Sequence, residues 1–249
     1  MSVQYGSSFT FDGVQTTAYG VWISGIETYA APERDVETVT VPGRNGLLTL
    51  DNGRYKNIKI TYPCFMADNF DTDFGAFKAA MLSKVGYKQL TDTYHPEGFR
   101  LARLVGGFSP ETGILNKSAH FEVQFDCYPQ FYLNSGQNYV TVANNGTITN
   151  PTSFPSSPMI RVTFSTTPRD GTVTVNGRTV VITAAGGTNV YIDCDSQDAY
   201  RIGSTEGIVS QNGKITVADG FPFLSPGANL VAYTGNISSV SIIPRWWTL

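Results

Sequence analysis

The chain has 249 residues, a net charge of −3 and only 15% charged residues, against about 25% in ordinary soluble domains. It contains no Lys/Arg run to hold phosphates and no stretch of 18 apolar residues to span a bilayer. Three cysteines, Cys64, Cys127 and Cys194, give an odd count with no CxxC spacing. They read as reduced thiols used as small apolar side chains rather than as disulfides or metal ligands.

In chain order, Ser8 to Gly13 reads as a short strand ending in a turn, and Tyr19 to Ile26 as a second strand. Ala30 to Thr40 suits an extended chain. Pro42-Gly43-Arg44-Asn45-Gly46 interrupts it with a sharp turn, because two glycines and a proline fall within five residues. Leu47 to Leu50 and Tyr55 to Tyr62 are strand-like, and the Asn52-Gly53 step between them predicts a tight hairpin. In the second of these, Ile58, Ile60 and Tyr62 share one face.

One helix is expected, capped by Asp71 or Asp73, with Phe74, Phe77, Met81 and Val85 at helical spacing and Gly86 as its stop. Leu101 to Phe108 and Ala119 to Cys127 follow as strands around a turn at Pro110 to Gly113. The second alternates Ala119, Phe121, Val123 and Phe125 against His120, Glu122, Gln124 and Asp126, a strand with one buried face.

Composition shifts after Tyr132 toward Asn, Gly, Ser, Thr and Pro, so two domains are expected, 1–133 and 134–249. In the second, short strands recur at Ile160–Ser165, Thr172–Val175, Thr179–Ile182, Val190–Asp193, Lys214–Val217, Leu230–Thr234 and Val240–Ile243. Asn176-Gly177 joins the second and third as a hairpin. Seven strands at this spacing predict a β-sandwich. The fold class is therefore mainly β with one helix.

No catalytic motif is present. His95 and His120 are lone histidines without an orienting partner in sequence. Asp193-Cys194-Asp195 with Asp198 fails the EF-hand pattern at its sixth and twelfth positions. Glu97, Glu111, Asp92 and Asp195 are acidic, but sequence brings no two together as a hydrolytic pair. The expectation is no enzyme, no catalytic residue, no cofactor and no metal. Trp246-Trp247 would face opposite sides of a strand, so one indole is expected inside and the other available for a sugar or a subunit contact.

Several segments together resemble the distal tail protein (Dit) family of long-tailed phages. In the first half they are Phe9-Thr10-Phe11-Asp12-Gly13, Tyr19-Gly20, Pro32-Glu33-Arg34, Val41 to Gly46, Gly53 to Asn57, the helix, Gly86 to Leu90 and Phe125 to Gln130. In the second half they are Asn144-Asn145-Gly146, Pro158-Met159-Ile160, Tyr191-Ile192-Asp193, Phe221 to Leu224, Gly227-Ala228-Asn229, Val240 to Pro244 and Arg245-Trp246-Trp247. The resemblance implies an N-terminal domain closing into a six-fold ring and a galectin-like C-terminal β-sandwich projecting outward. The ring would join the tail tube protein to the tail-tip protein, with receptor-binding proteins as further partners, DNA only passing through the channel and no membrane anchoring. Its place would be the virion tail tip, after assembly in the bacterial cytoplasm. The candidate interface residues are Pro42, Gly43, Arg44, Gly46, Arg245, Trp246 and Trp247.

Extended segments at 30–40 or 47–62 are expected to add strands to a neighbour, and a proline at Lys59 to block that without unfolding the monomer. The competing reading is a carbohydrate-binding β-sandwich module for host-surface glycans; a hydrolase with an unseen acidic pair ranks below it.

Overall fold

A computed structural model describes residues 6–24 and 30–249. The chain separates into two compact units, 1–131 with Leu249, and 132–248. The expected mainly-β fold with one α-helix is what forms.

The first unit contains β1 (Phe9–Phe11), β2 (Val14–Gln15), β3 (Trp22–Ile23), β4 (Arg34–Thr40), β5 (Leu47–Tyr55), β6 (Ile58–Met66), α1 (Phe70–Leu82), β7 (Lys88–Asp92), β8 (Gly98–Val105), β9 (Glu111–Thr112) and most of β10 (Ala119–Leu133). One sheet runs in the order β2-β1-β7-β8-β10-β6-β3, with β9 also on β10. Its spine is the β6–β10 pair, in which Phe125 faces Ile60, Val123 faces Tyr62 and Phe121 faces Cys64. All six are buried, as the period-2 alternation requires. Helix α1 presses Phe70, Phe77 and Met81 into this core. Phe77 lies 5.6 Å from Phe108 and 5.8 Å from Phe121, within the range of favourable aromatic pairs.

The helix differs from its expected bounds. Asn69, in the left-handed conformation at φ 58°, precedes it, so Phe70 rather than a residue after an aspartate cap opens it. Asp71 and Asp73 lie in the first turn, where they oppose the positive helix end. The helix stops at Leu82, which leaves Val85 beyond it and 82% exposed rather than on the apolar stripe. Of the strand expected over Tyr19–Ile26, Trp22–Ile23 is extended and Thr16–Tyr19 is a 3₁₀ turn, while Gly25 and Ile26 lie outside the described residues.

The second unit is a β-sandwich. Its strands are β11 (Val140–Val142), β12 (Gly146–Asn150), β13 (Met159–Phe164), β14 (Gly171–Val175), β15 (Arg178–Ile182), β16 (Asn189–Asp193), β17 (Asp198–Gly203), β18 (Gly207–Ser210), β19 (Ile215–Val217), β20 (Gly227–Gly235), β21 (Ile237–Ile243) and β22 (Trp247–Thr248). A six-stranded sheet, β11-β21-β13-β16-β17-β18, and a five-stranded sheet, β12-β20-β14-β15-β19, enclose one apolar core. The seven expected strands all appear, and Asn176-Gly177 turns β14 into β15 with both residues at positive φ. Strands β11, β12, β17 and β18 go beyond the sequence reading. Strand β18 has no buried residue, so no apolar alternation marks it.

Candidate functional site

The segment 34–55 departs most from the sequence reading. The expected Asn52-Gly53 hairpin does not exist. Strand β5 runs straight through both residues and pairs antiparallel with β4, as a two-stranded sheet with no third strand among the described residues. Two steps along β4, from Arg34 to Val36, match four along β5, from Tyr55 to Asp51. The extra residues form a bulge, with Gly53 at φ 73° and its N–H donating to Asp51 Oδ1 at 2.7 Å. The chain reversal lies instead at Pro42-Gly43-Arg44-Asn45-Gly46, where the Arg44 N–H donates to the Val41 carbonyl at 3.1 Å.

The result is an arm. Nearly every residue of β4 and β5 is exposed, among them Val39, Leu47, Leu48 and Leu50. A lone two-stranded hairpin is marginal in water, and three features fix the root of this one. Arg34 Nε sits 2.9 Å from Asp51, Arg54 Nε is 2.6 Å from Asp35, and the Lys56 N–H donates to the Glu33 carbonyl at 2.9 Å. Just past β5, Asn57 enters a compact network. Its Nδ2 donates to Tyr87 Oη at 2.7 Å, while Tyr87 Oη and Arg103 Nε donate to Asp126 at 2.6 and 2.8 Å. Burial would push the Asp126 carboxyl up, but hydrogen bonds from Tyr87, Arg103 and Asn57 more than offset it and hold the group below its ordinary range. The arm is thus anchored at its base and open along its length.

Lys59 is not part of the arm. It pairs with Asp126 inside the β6–β10 ladder, so a proline there would damage the core sheet. The strands whose edges are open to a neighbour are β4 and β5.

The candidate interface residues fall into two groups in different units. Pro42, Gly43, Arg44 and Gly46 form the exposed arm tip. Arg245, Trp246 and Trp247 belong to the sandwich. Trp246 is 5% exposed within its core, packed so tightly on Gly136 that a Cβ there would meet its ring at 2.9 Å. Trp247 is half-buried, stacked on Phe154 at 4.6 Å, and donates its indole N–H to the Pro155 carbonyl at 2.9 Å. Arg245 binds both oxygens of Asp193, at 2.7 and 2.8 Å. That bidentate pair occupies the Asp193 carboxylate, and no group of three metal-ligating side chains occurs among the described residues.

Asp92 and His95 have structural partners. Asp92 accepts from Tyr62 Oη at 2.6 Å and from the N–H groups of Tyr94 and His95 at 2.9 Å. His95 packs edge-on to Phe131. Burial pushes the thiols of Cys64, Cys127 and Cys194 up to about 12, so they are protonated and unreactive near neutral pH.

No family model matches the chain, and no curated protein does. Solved structures do. The chain is similar to the SPP1 Dit protein, described as a paradigm of the hub adsorption apparatus in phages infecting Gram-positive bacteria, with a TM-score of 0.73 and 13% identity over 98% of this chain and 100% of that one. It is also similar to a chain of the phage P2 baseplate in its activated conformation with Ca, with a TM-score of 0.55 and 10% identity over 95% of this chain and 97% of that one. At these identities the likeness is one of fold, and it extends through both units.

Proposed function

We propose that this chain is a structural subunit of a phage tail tip, a hub of the distal tail type. In this reading six copies close into a ring that joins the tail tube to the tail-tip or baseplate proteins. The N-terminal unit forms the ring, the galectin-like sandwich projects outward to meet adsorption proteins, and DNA passes through the centre. The role is architectural rather than enzymatic. The site of action is the virion tail tip, reached after assembly in the host cytoplasm.

The observation that carries the reading is the isolated arm. Two strands with exposed Val and Leu side chains and unpaired outer edges are a liability in a monomer. They become an asset when a neighbouring copy supplies the missing strand or apolar face. Likeness to a hub protein across the whole chain supports the same role.

A proline at Thr38, in the middle of β4 opposite Thr49, tests it. If the Thr38 N–H points inward the hairpin opens; if outward, a donor for the neighbour's strand is lost. Either way the ring should give way to a folded monomer whose melting midpoint is unchanged, because the arm lies outside the core. A Thr38→Pro protein that still assembles would remove the arm from the interface.

A further inference from the structure

The arm tip carries one charge, and among the described residues that charge has no counterpart within its own chain. Between Glu37 and Asp51, Arg44 is the only charged residue. It is exposed and has no carboxylate within 4 Å among the described residues. The nine residues of β5 span roughly 30 Å at about 3.3 Å each, so the tip is held well away from the arm's root.

The first unit also has an acidic groove of about 510 Å³, comparable to sites that enclose a small ligand, which run from about 300 Å³ upward. Its floor is the polar face of β10. Glu111 on β9 stands directly opposite His120, and Glu122 and Gln124 continue along the same face of the strand. Gly106, Gly107 and Ser109 also line the groove. Gln124 Nε2 donates to Glu122 at 3.3 Å. Neither Glu111 nor Glu122 has a cationic side chain within 4 Å among the described residues.

We infer that the groove is the socket for the arm tip of a second copy, with Arg44 entering between Glu111 and Glu122. This rests on the ring reading above and specifies its interface. Arg44 suits the task because a guanidinium presents a planar set of donors to carboxylates, and the Pro-Gly/Asn-Gly turn gives it a narrow mount. Each copy then acts as plug on one side and socket on the other, the head-to-tail arrangement that closes a ring. The neighbour's arginine supplies the cation that Glu111 and Glu122 lack among the described residues of their own chain, which ties charge pairing to closure.

Charge exchange between two proteins tests the inference. Arg44→Glu spoils the plug, and Glu111→Lys with Glu122→Lys spoils the socket. All three positions are exposed, so each protein should keep the wild-type circular dichroism and melting midpoint. Each alone should lose at least about tenfold in assembly constant, which is easily read as a loss of ring mass by light scattering. Mixed one to one, they should recover ring mass. In a ring that alternates the two proteins, half the contacts pair an unaltered tip with an unaltered groove. The other half set the acidic, substituted tip of one protein against the basic, substituted groove of its neighbour, so opposite charges meet at every contact. A wild-type ring mass that survives either substitution, or folded variants that fail to recover on mixing, would overturn the socket while leaving the ring intact. A wild-type chain that never forms a ring would instead remove the parent reading.

Discussion

Arg245 and Asp193 show how single residues stabilise the sandwich. The pair ties the chain after β21 to the end of β16, with both side chains largely out of solvent. Burial pushes the Asp193 carboxyl up, yet hydrogen bonds and charge from Arg245, with the N–H groups of Asp195 and Ser196, hold it below the ordinary 3.8. A carboxyl depressed on folding adds stability above its unfolded value, and that stability is lost as pH falls through the folded one. Asp193→Ala should therefore cost about 2 kcal/mol at pH 7 by chemical denaturation, somewhat less than a fully buried pair would lose. The difference from wild type should start to shrink below about pH 4, where the carboxyl of the unfolded chain begins to protonate, and go on shrinking until the depressed folded carboxyl is protonated too. A constant difference down to about pH 2 would show that lost packing, not charge, sets the cost. The pairing itself was not legible in the sequence, because 52 residues separate the partners and only the β-register brings them together. The burial of Trp246 and the packing of Trp247 on Phe154 were not legible either, because Trp246 precedes the short strand that begins at Trp247.

Among elements, the same dipeptide has two outcomes. Asn176-Gly177 closes a two-residue hairpin, whereas Asn52-Gly53 lies inside a strand as a bulge. Both glycines have positive φ, at 82° and 73°, and a Cβ on either would meet no atom within 4 Å. The local conformational demand was readable in both places, but the tertiary use of it was not. At Gly177 the flanking residues Val175 and Val180 are buried, so burial fixes the register and the turn must close there. Around Gly53 neither face of the arm is buried, and the chain reverses at Pro42 to Gly46 instead. The same substitution should therefore act differently at the two sites. Gly177→Ala should lower the stability of the sandwich by about 1–2 kcal/mol, the strain of a non-glycine residue in the left-handed region. Gly53→Ala should leave the melting midpoint of the monomer unmoved and act only on assembly. Equal midpoint losses at both positions would mean that the arm folds as part of the core. Helix α1 shows the limit of boundary signals. Its apolar spacing at Phe77 and Met81 was legible, but Asn69, Asp71 and Asp73 are all acceptable caps by residue type, and the choice of Asn69, left-handed and without a side-chain cap bond, was not local.

At the scale of the whole chain, composition already favoured strands and disfavoured electrostatic contact with nucleic acid. Alternation in β10 and the regular strand spacing after Ile160 made both β-rich halves readable, because side-chain period and turn chemistry are local. Strand order is not local. The β2-β1-β7-β8-β10-β6-β3 sequence of the first sheet depends on which distant strands meet, and no short-range pattern encodes that. The extended character of 30–40 and of 47–50 was legible, but the pairing of β4 with β5 through Asn52-Gly53 was not, because no buried face within this chain marks the register. The most direct measurement is the solution mass of the purified chain by light scattering, with negative-stain images of the same fraction. Six copies of 27.1 kDa come to about 163 kDa in a closed cyclic assembly. A particle of that mass with six-fold symmetry and an open centre is the expected result. A protein that remains at 27.1 kDa up to high concentration, with its arm exposed to protease, would contradict the ring.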